Sequence, residues 1–346
     1  MARLMARARW LAAAMLLVVA LLLWQLLRAP APLRLVRFSG QTMGTTYHVS
    51  LRVPPAETVE GLRTAVDGRL AAVNRSTSTW DPQSELSRLN AAPAGRPIPL
   101  SDELYKVLAA AQHWSRATGG ALDVTVGPLV NLWGFGPDGA RRTPGAREIA
   151  TARARSGHER LRLEPGRLTK TVEGMYVDLS AIAKGYGVDE VGRLLRGRGI
   201  DNYLVEIGGE VLAAGERDTG TPWHVGIERP EPGLAQGAAL VGAVPLRRGA
   251  LASSGSYRRY RDELGGRRHH IIDPRTGAPT VSPLVAVTVW APDCMTADAL
   301  ATALMVLGPE QGLAWVERTA DVEALFLVDL GAGGFAQRAS SGFVTE

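Results

Sequence analysis

The sequence predicts an α+β fold with mixed or antiparallel sheets and packed helices, preceded by one N-terminal membrane helix. Three observations predict it. Strand-like and helix-like stretches come in groups rather than in strict alternation, which argues against a doubly wound parallel sheet. "RFSGQTMGTTYHVSLRV" and "LVAVTVWAP" carry the alternation of strands, whereas Val59, Leu62, Val66, Leu70 and Val73 recur at helical spacing. An uninterrupted apolar run, Trp10 to Leu27, stands ahead of everything else.

That run would form a helix roughly 27 Å long, against a hydrocarbon core of about 30 Å. It is longer than the usual signal-peptide core of about 7–15 residues. Arg3, Arg7 and Arg9 precede it and favour a cytoplasmic N-terminus. Ala29-Pro30-Ala31 is a weak cleavage site with Pro32 behind it, and no cysteine follows for lipid attachment. Residues 1–28 are therefore expected to be an anchor or signal segment, with an uncleaved anchor favoured. Residues 29–37 read as a linker, and the body lies outside the cytoplasm.

The elements follow in order. Residues 38–53 read as a strand, 57–78 as a helix, and about 101–117 as a second helix with Ser101 as N-cap. Gly119-Gly120 stops that helix. A Pro/Gly loop and a short helix fill 137–157. Strands are expected at Arg167–Thr171 and Met175–Asp178, then a helix from Ala181 to Arg196. "DNYLVEIGGEVLAAGE" reads as two strands about a Gly208-Gly209 bend. A meander follows, then the strand "LVAVTVWAP", the helix "CMTADALATALMVLG", a last helix in "GLAWVERT" and a last strand in "EALFLVDL".

Composition narrows the function. The 346 residues are 46% hydrophobic and 21% charged, which is globular. Four of the arginines behind the net charge of +5 flank the apolar run, so the remainder is near neutral. No basic patch interleaves with aromatics, and nucleic acid is not an expected partner. Cys294 is the one cysteine, so neither an intrachain disulfide nor an iron–sulfur cluster can form from this chain.

Chemistry concentrates in a few stretches: "TMGTTY", "STWDPQSELSRLN", "GGALDVTVGPLVNLWGFG", "DLSAIAKGYGVDEV", "SSGSYRRY" with "HHIIDPRTGAP", and "ADALATALMVLG". Each alone has a structural reading. Asp81-Pro82 and Asp273-Pro274 start turns, and Asp178 before Ser180 caps a helix. Asp298 and Thr302 share one helix face, either as a polar pair or as two oxygen ligands for a hard cation. Asp298 reads as a first-turn residue, favoured by the helix dipole.

In this order the six stretches resemble the flavin transferase family, the ApbE-type FAD:protein FMN transferases, over about residues 38 to 330. The resemblance implies an α+β tandem of T-fold type, two interleaved halves within 38–340 holding FAD between them. It implies Mg²⁺-dependent transfer of FMN from FAD to a Thr or Ser hydroxyl, with release of AMP. The implied partners are FAD, acceptor flavoproteins of membrane redox complexes, and the bacterial inner membrane, with the catalytic domain in the periplasm. By position, Met43 would lie beside the flavin, Trp80 would meet the isoalloxazine or the adenine end, and Ala121, Leu122 and Asp123 would line the FAD pocket. Asp178, Lys184 and Ile272 would face the nucleotide. His270 would be the base near the transferred phosphate. Asp298, Thr302 and the Ala181 carbonyl would hold Mg²⁺. Trp80 stands where the family has a smaller aromatic, and Gly187 where alanine is common. Two other functions fit the same stretches: a FAD pyrophosphatase giving FMN and AMP, and a flavin-binding protein without turnover.

Overall fold

A computed structural model describes residues 10–21, 33–137, 142–231, 237–257, 260–263, 266–331 and 334–346. In chain order the first elements are α1 (Trp10–Leu21), β1 (Arg34–Thr42), β2 (Thr45–Val53), α2 (Val59–Thr77) and α3 (Glu85–Ala91). Next come β3 (Ile98–Pro99), α4 (Asp102–Ala117), α5 (Gly127–Leu132), α6 (Ala146–Arg153), β4 (Leu161–Glu164) and β5 (Arg167–Lys170). Then follow α7 (Ala183–Arg196), β6 (Tyr203–Ile207), β7 (Glu210–Ala214), β8 (Trp223–Glu228), β9 (Leu240–Leu246) and β10 (Arg248–Gly255). The chain closes with β11 (Tyr260–Glu263), β12 (Gly266–His269), β13 (Ile272–Asp273), β14 (Ala278–Pro279), β15 (Leu284–Ala291), α8 (Cys294–Val316), β16 (Glu323–Gly331) and β17 (Gly334–Ala339).

The residues divide into two units, one of 1–34 with 53–57 and one of 35–52 with 58–346. The first holds α1, whose twelve described residues make about 18 Å of helix at 1.5 Å each. The rest of the apolar run, 22–27, lies outside the described residues. Arg34 and Glu57 join within this unit, the guanidinium donating to the Glu57 carbonyl at 2.7 Å.

An eight-stranded sheet forms the second unit's frame, in the order β1-β2-β6-β7-β10-β15-β16-β17. Its registered pairs from β2 to β17 are antiparallel. Strand alternation sorts its side chains to two faces. On one face lie α7 and α8: a Cβ on Gly192 of α7 would meet Leu212 of β7, and one on Gly312 of α8 would stand 2.9 Å from Phe326 of β16. On the other, β8 and β9 cover Ala213, Leu251, Ala286, Leu325 and Leu327 with Trp223, Ile227, Val244 and Leu246.

The long apolar helix α8 is the core element, with most of its residues buried. Among the described residues it is the one helix long and apolar enough to cross a membrane. Its first turn is well satisfied. Asp293 accepts from the Thr296 N–H at 2.9 Å, and Asp189 of α7 accepts from Cys294 N at 2.8 Å and Met295 N at 2.9 Å. Gly308, at φ 79°, and Pro309 kink it, so "GLAWVERT" continues the same element in a new direction instead of standing apart.

Several expectations change. Residues 38–53 are two strands, not one, because Met43 and Gly44 both take positive φ and turn the chain back. β1 begins at Arg34, inside the stretch read as linker. Met175–Asp178 is not a strand; only a single parallel bridge joins Tyr176 to Val126. Asp298 is the fifth residue of α8, past the first turn, so the dipole argument for it falls away. The N-terminal partial charge is met by Asp293 and Asp189 instead.

Candidate active site

Glycine sets the geometry where α7 crosses α8. A Cβ on Gly185 would collide with the Cys294 carbonyl and stand 2.8 Å from Asp298 Cβ, so only glycine lets the two helices close to this distance. Gly185 then donates its N–H to Asp298 Oδ2 at 2.9 Å. That N–H lies in the first turn of α7, where the helix itself offers a donor no partner. The same contact thus fixes Asp298 and satisfies one of the free donors at the start of α7.

Lys184 is the centre of the site. Its ammonium pairs with Glu210 Oε1 of β7 and lies 3.9 Å from Asp298 Oδ1, beyond hydrogen-bonding range. Glu210 and Asp298 are buried, and Glu210 Oε2 has no hydrogen-bond partner. Burial raises the pKa of both carboxyls, and the ammonium only partly offsets it. Burial works against the charge on Lys184, but Asp298 and Glu210 outweigh it and its pKa stands above the usual lysine range. When both carboxyls are ionised, one ammonium faces two negative charges, and the cluster is short of positive charge.

The start of β2 and the Gly208-Gly209 bend lie beside the Lys184 stem. A Cβ on Gly208, which sits at φ 61°, would stand 2.9 Å from Thr45 and 3.5 Å from the Lys184 stem. Met43 reaches α7: its Cε would lie 3.0 Å from a Cβ on Gly187. The glycine that departs from the family's alanine therefore makes room for the Met43 thioether.

Asp298 Oδ1, Thr302 Oγ1 one helical turn on, and the Ala181 carbonyl are all hard oxygen donors. Thr302 also stands 3.4 Å from Ser254 Oγ of β10. No group of three or more His, Cys, Asp or Glu that could hold a metal occurs among the described residues. One carboxylate with neutral oxygens fits a cation such as Mg²⁺, which completes its shell with water and substrate phosphate.

Asp178 is tied to the residue that follows Ala121–Asp123: its N–H donates to the Val124 carbonyl at 2.7 Å. Both carboxylates are already engaged locally. Asp178 Oδ1 accepts from Ser180 N–H and O–H, and Asp123 accepts from Thr125 and from the His158 N–H. Ala121 and Leu122 are buried. Trp80 is 66% exposed on a turn that Ser78 Oγ holds through the N–H groups of Trp80 and Asp81.

His270 and Ile272 form a second group. The His270 ring is half-buried, edge-on to Phe135 at 6.4 Å between centroids. The Ile272 side chain packs in a small core with Leu129, Trp133 and Ala152, so its main chain is what it can offer a nucleotide. Asp273, the other carboxylate here, is held by Arg275 in two bonds of 2.9 Å. Such a fork pair engages both of its oxygens. Arg275 also reaches the Val306 carbonyl of α8 at 3.4 Å, tying this group to the helix that carries Asp298 and Thr302.

The sequence does not point to Glu210, which stands there as the residue after a glycine bend. A lone carboxylate inside "EVLAAG" is the available signal. Nor does it single out Asn90, whose amide brackets Val177, donating to its carbonyl at 2.8 Å and accepting from its N–H at 2.7 Å. That clamp holds the segment leading into Asp178.

The ApbE family model matches residues 43–326, and the chain belongs to the ApbE family. The FAD:protein FMN transferase of Vibrio cholerae serotype O1 is 43% identical over 314 residues, covering 90% of this chain and 92% of that protein. Its counterpart of the same name in Haemophilus influenzae is 41% identical over 318 residues, 90% and 91% of the two chains. Among solved structures, the flavin transferase ApbE from Vibrio cholerae superposes with a TM-score of 0.81 at 42% identity, covering 90% of this chain and 99% of that one. The apo form of the Pseudomonas stutzeri flavinyl transferase ApbE gives 0.81 at 38% identity, over 90% and 96%.

Proposed function

We propose that this chain, a FAD:protein FMN transferase by its family, moves FMN from FAD to a Thr or Ser hydroxyl of acceptor flavoproteins in membrane redox complexes. It does so with Mg²⁺, outside the cytoplasmic membrane, to which the N-terminal segment anchors it. In the reaction the acceptor oxygen bonds to the flavin-side phosphorus, the pyrophosphate P–O bond breaks, and AMP leaves. The hydroxyl proton passes to a base. The observation that carries this reading is the buried Asp298–Lys184–Glu210 cluster at the α7–α8 crossing. Phosphoryl-type transfer is governed by placement and charge neutralisation, and this cluster offers a cation and a carboxylate a few ångströms apart.

Lys184 supplies positive charge to the pyrophosphate, and the glycine turn at Gly208-Gly209 lets the substrate approach the main chain. Asp298, Thr302 and the Ala181 carbonyl would hold Mg²⁺, which supplies charge neutralisation at the phosphates. His270 is the base of the reading: a neutral imidazole accepts the hydroxyl proton, and Asp273 is tied up by Arg275.

The test mixes enzyme, FAD, Mg²⁺ and a candidate acceptor protein, and weighs the acceptor by mass spectrometry. Gain of one FMN phosphoester, with AMP in equal amount, is the expected result. Release of AMP and free FMN with unmodified acceptor would make the chain a FAD pyrophosphatase. His270→Ala should lower transfer by about 10²–10⁴ with FAD binding, read by flavin fluorescence, unchanged. Transfer at the wild-type rate in that variant would remove His270 from the mechanism.

A further inference from the structure

Glu210 is buried, outside the set of residues that the resemblance implies, and in contact with one charged partner, the Lys184 ammonium. Across that ammonium lies Asp298, whose Oδ2 is pinned by the Gly185 N–H and whose Oδ1 stands 3.9 Å from Lys184 Nζ. A lysine this close to a single buried carboxylate would ordinarily collapse onto it. Here it does not, because Glu210 holds the ammonium on the β7 side. The carboxylate that would bind a metal ion thereby keeps one oxygen clear of its own neighbouring cation.

We infer that Glu210 is a positioning residue for the metal: it draws Lys184 off Asp298 and supplies the charge that lets an ammonium and a divalent cation share one pocket. The inference rests on the reading of Asp298 as a metal ligand. Charge counting makes it specific. With all three groups ionised, Asp298, Glu210 and Lys184 together carry one net negative charge, which a divalent cation turns to one positive. With Glu210→Gln the cluster is neutral before metal arrives, and the freed ammonium has Asp298 as its one remaining carboxylate. Metal affinity then falls for two reasons at once, lost attraction and direct competition. Removing the lysine as well restores both the net charge and the open oxygen.

The experiment measures binding of Mn²⁺ alone by electron paramagnetic resonance, and of Mg²⁺ by calorimetry, on the full chain in detergent. Thermal melting confirms that each variant is folded. Glu210→Gln should weaken the metal at least about tenfold, a lower limit set by a unit charge acting on a divalent ion through water-like screening. Lys184→Met should bind at least as tightly as wild type, and the double variant Glu210→Gln with Lys184→Met should recover most of the loss. That recovery separates positioning through Lys184 from a merely structural role. Should Glu210→Gln not fold, Lys184→Met decides: weaker binding than wild type overturns the inference. Unchanged affinity in Glu210→Gln, or no recovery in the double variant, also overturns it. A wild type that binds no Mn²⁺, or that binds it equally well as Asp298→Asn, overturns the metal reading itself.

Discussion

Asp298 shows how much one side chain can be asked to do. It fixes α7 through Gly185 and faces Lys184 across 3.9 Å. Asp298→Asn keeps an oxygen for the Gly185 N–H and loses the charge. Metal-dependent turnover should therefore vanish while the melting temperature stays within a few degrees, as calorimetry and an FMN-transfer assay in parallel would show. His269 makes a different point. Its ring is buried, near Thr280 Oγ1 at 3.3 Å, and burial lowers its pKa from the usual 6.5. The folded chain then binds fewer protons than the unfolded chain as pH drops through 6.5, so this residue destabilises the fold on the acid side and is neutral above it. Urea midpoints between pH 7.5 and 5 should fall more steeply in wild type than in His269→Asn. Equal slopes would remove His269 from the acid response. The neighbouring histidine is the one that the sequence points to for catalysis; β12 ends at His269, so His270 lies beyond the strand and is half-buried beside Phe135.

At the scale of elements, α8 begins where another helix lets it. Asp189 of α7 accepts from two of its first N–H groups, and burial pushes that carboxyl up to about 6. Asp189→Ala, measured at pH 7.5 where the native carboxylate is ionised, leaves two buried donors without a partner and should cost about 1–3 kcal/mol. Gly185→Ala should be worse for the site than for the fold, since its methyl meets Asp298 and Cys294 at the one crossing that holds both helices in register. Periodicity made most of these elements legible: α2, α4 with its Ser101 cap, the β6–β7 hairpin and β15 all stand where apolar spacing put them. Short elements were not. α3 and α5 span seven and six residues, too few for a period to register, and β3 has two. Residues 175–178 looked like a strand because they alternate, yet the Asn90 clamp and one bridge claim their backbone groups before any ladder forms.

For the whole molecule, the family's motifs carried further than the residue-by-residue reading, because they mark turns whose partners are remote in sequence. Lys184, Glu210 and Asp298 are separated by 26 and 88 positions and meet only through the sheet and the α7–α8 crossing. Such a cluster leaves no local pattern, and of its three members Glu210 is the one that the sequence does not point to. The anchoring of the chain is a matter for fractionation: full-length protein should stay with membranes through a high-salt wash and leave them in detergent. A soluble form beginning near Ala31 would instead identify a cleaved signal. One feature of α8 gives these experiments a reporter. Cys294, the chain's single thiol, is sealed between α7 and the sheet, and burial pushes its pKa well above the ordinary value. A thiol in that state is inert to maleimides and to oxidants. The protein should therefore tolerate an oxidising compartment without a reductant, and any labelling must await separation of the two helices. The rate of labelling is then a clock for the opening of the crossing itself, and a cation bound at Asp298 should slow it.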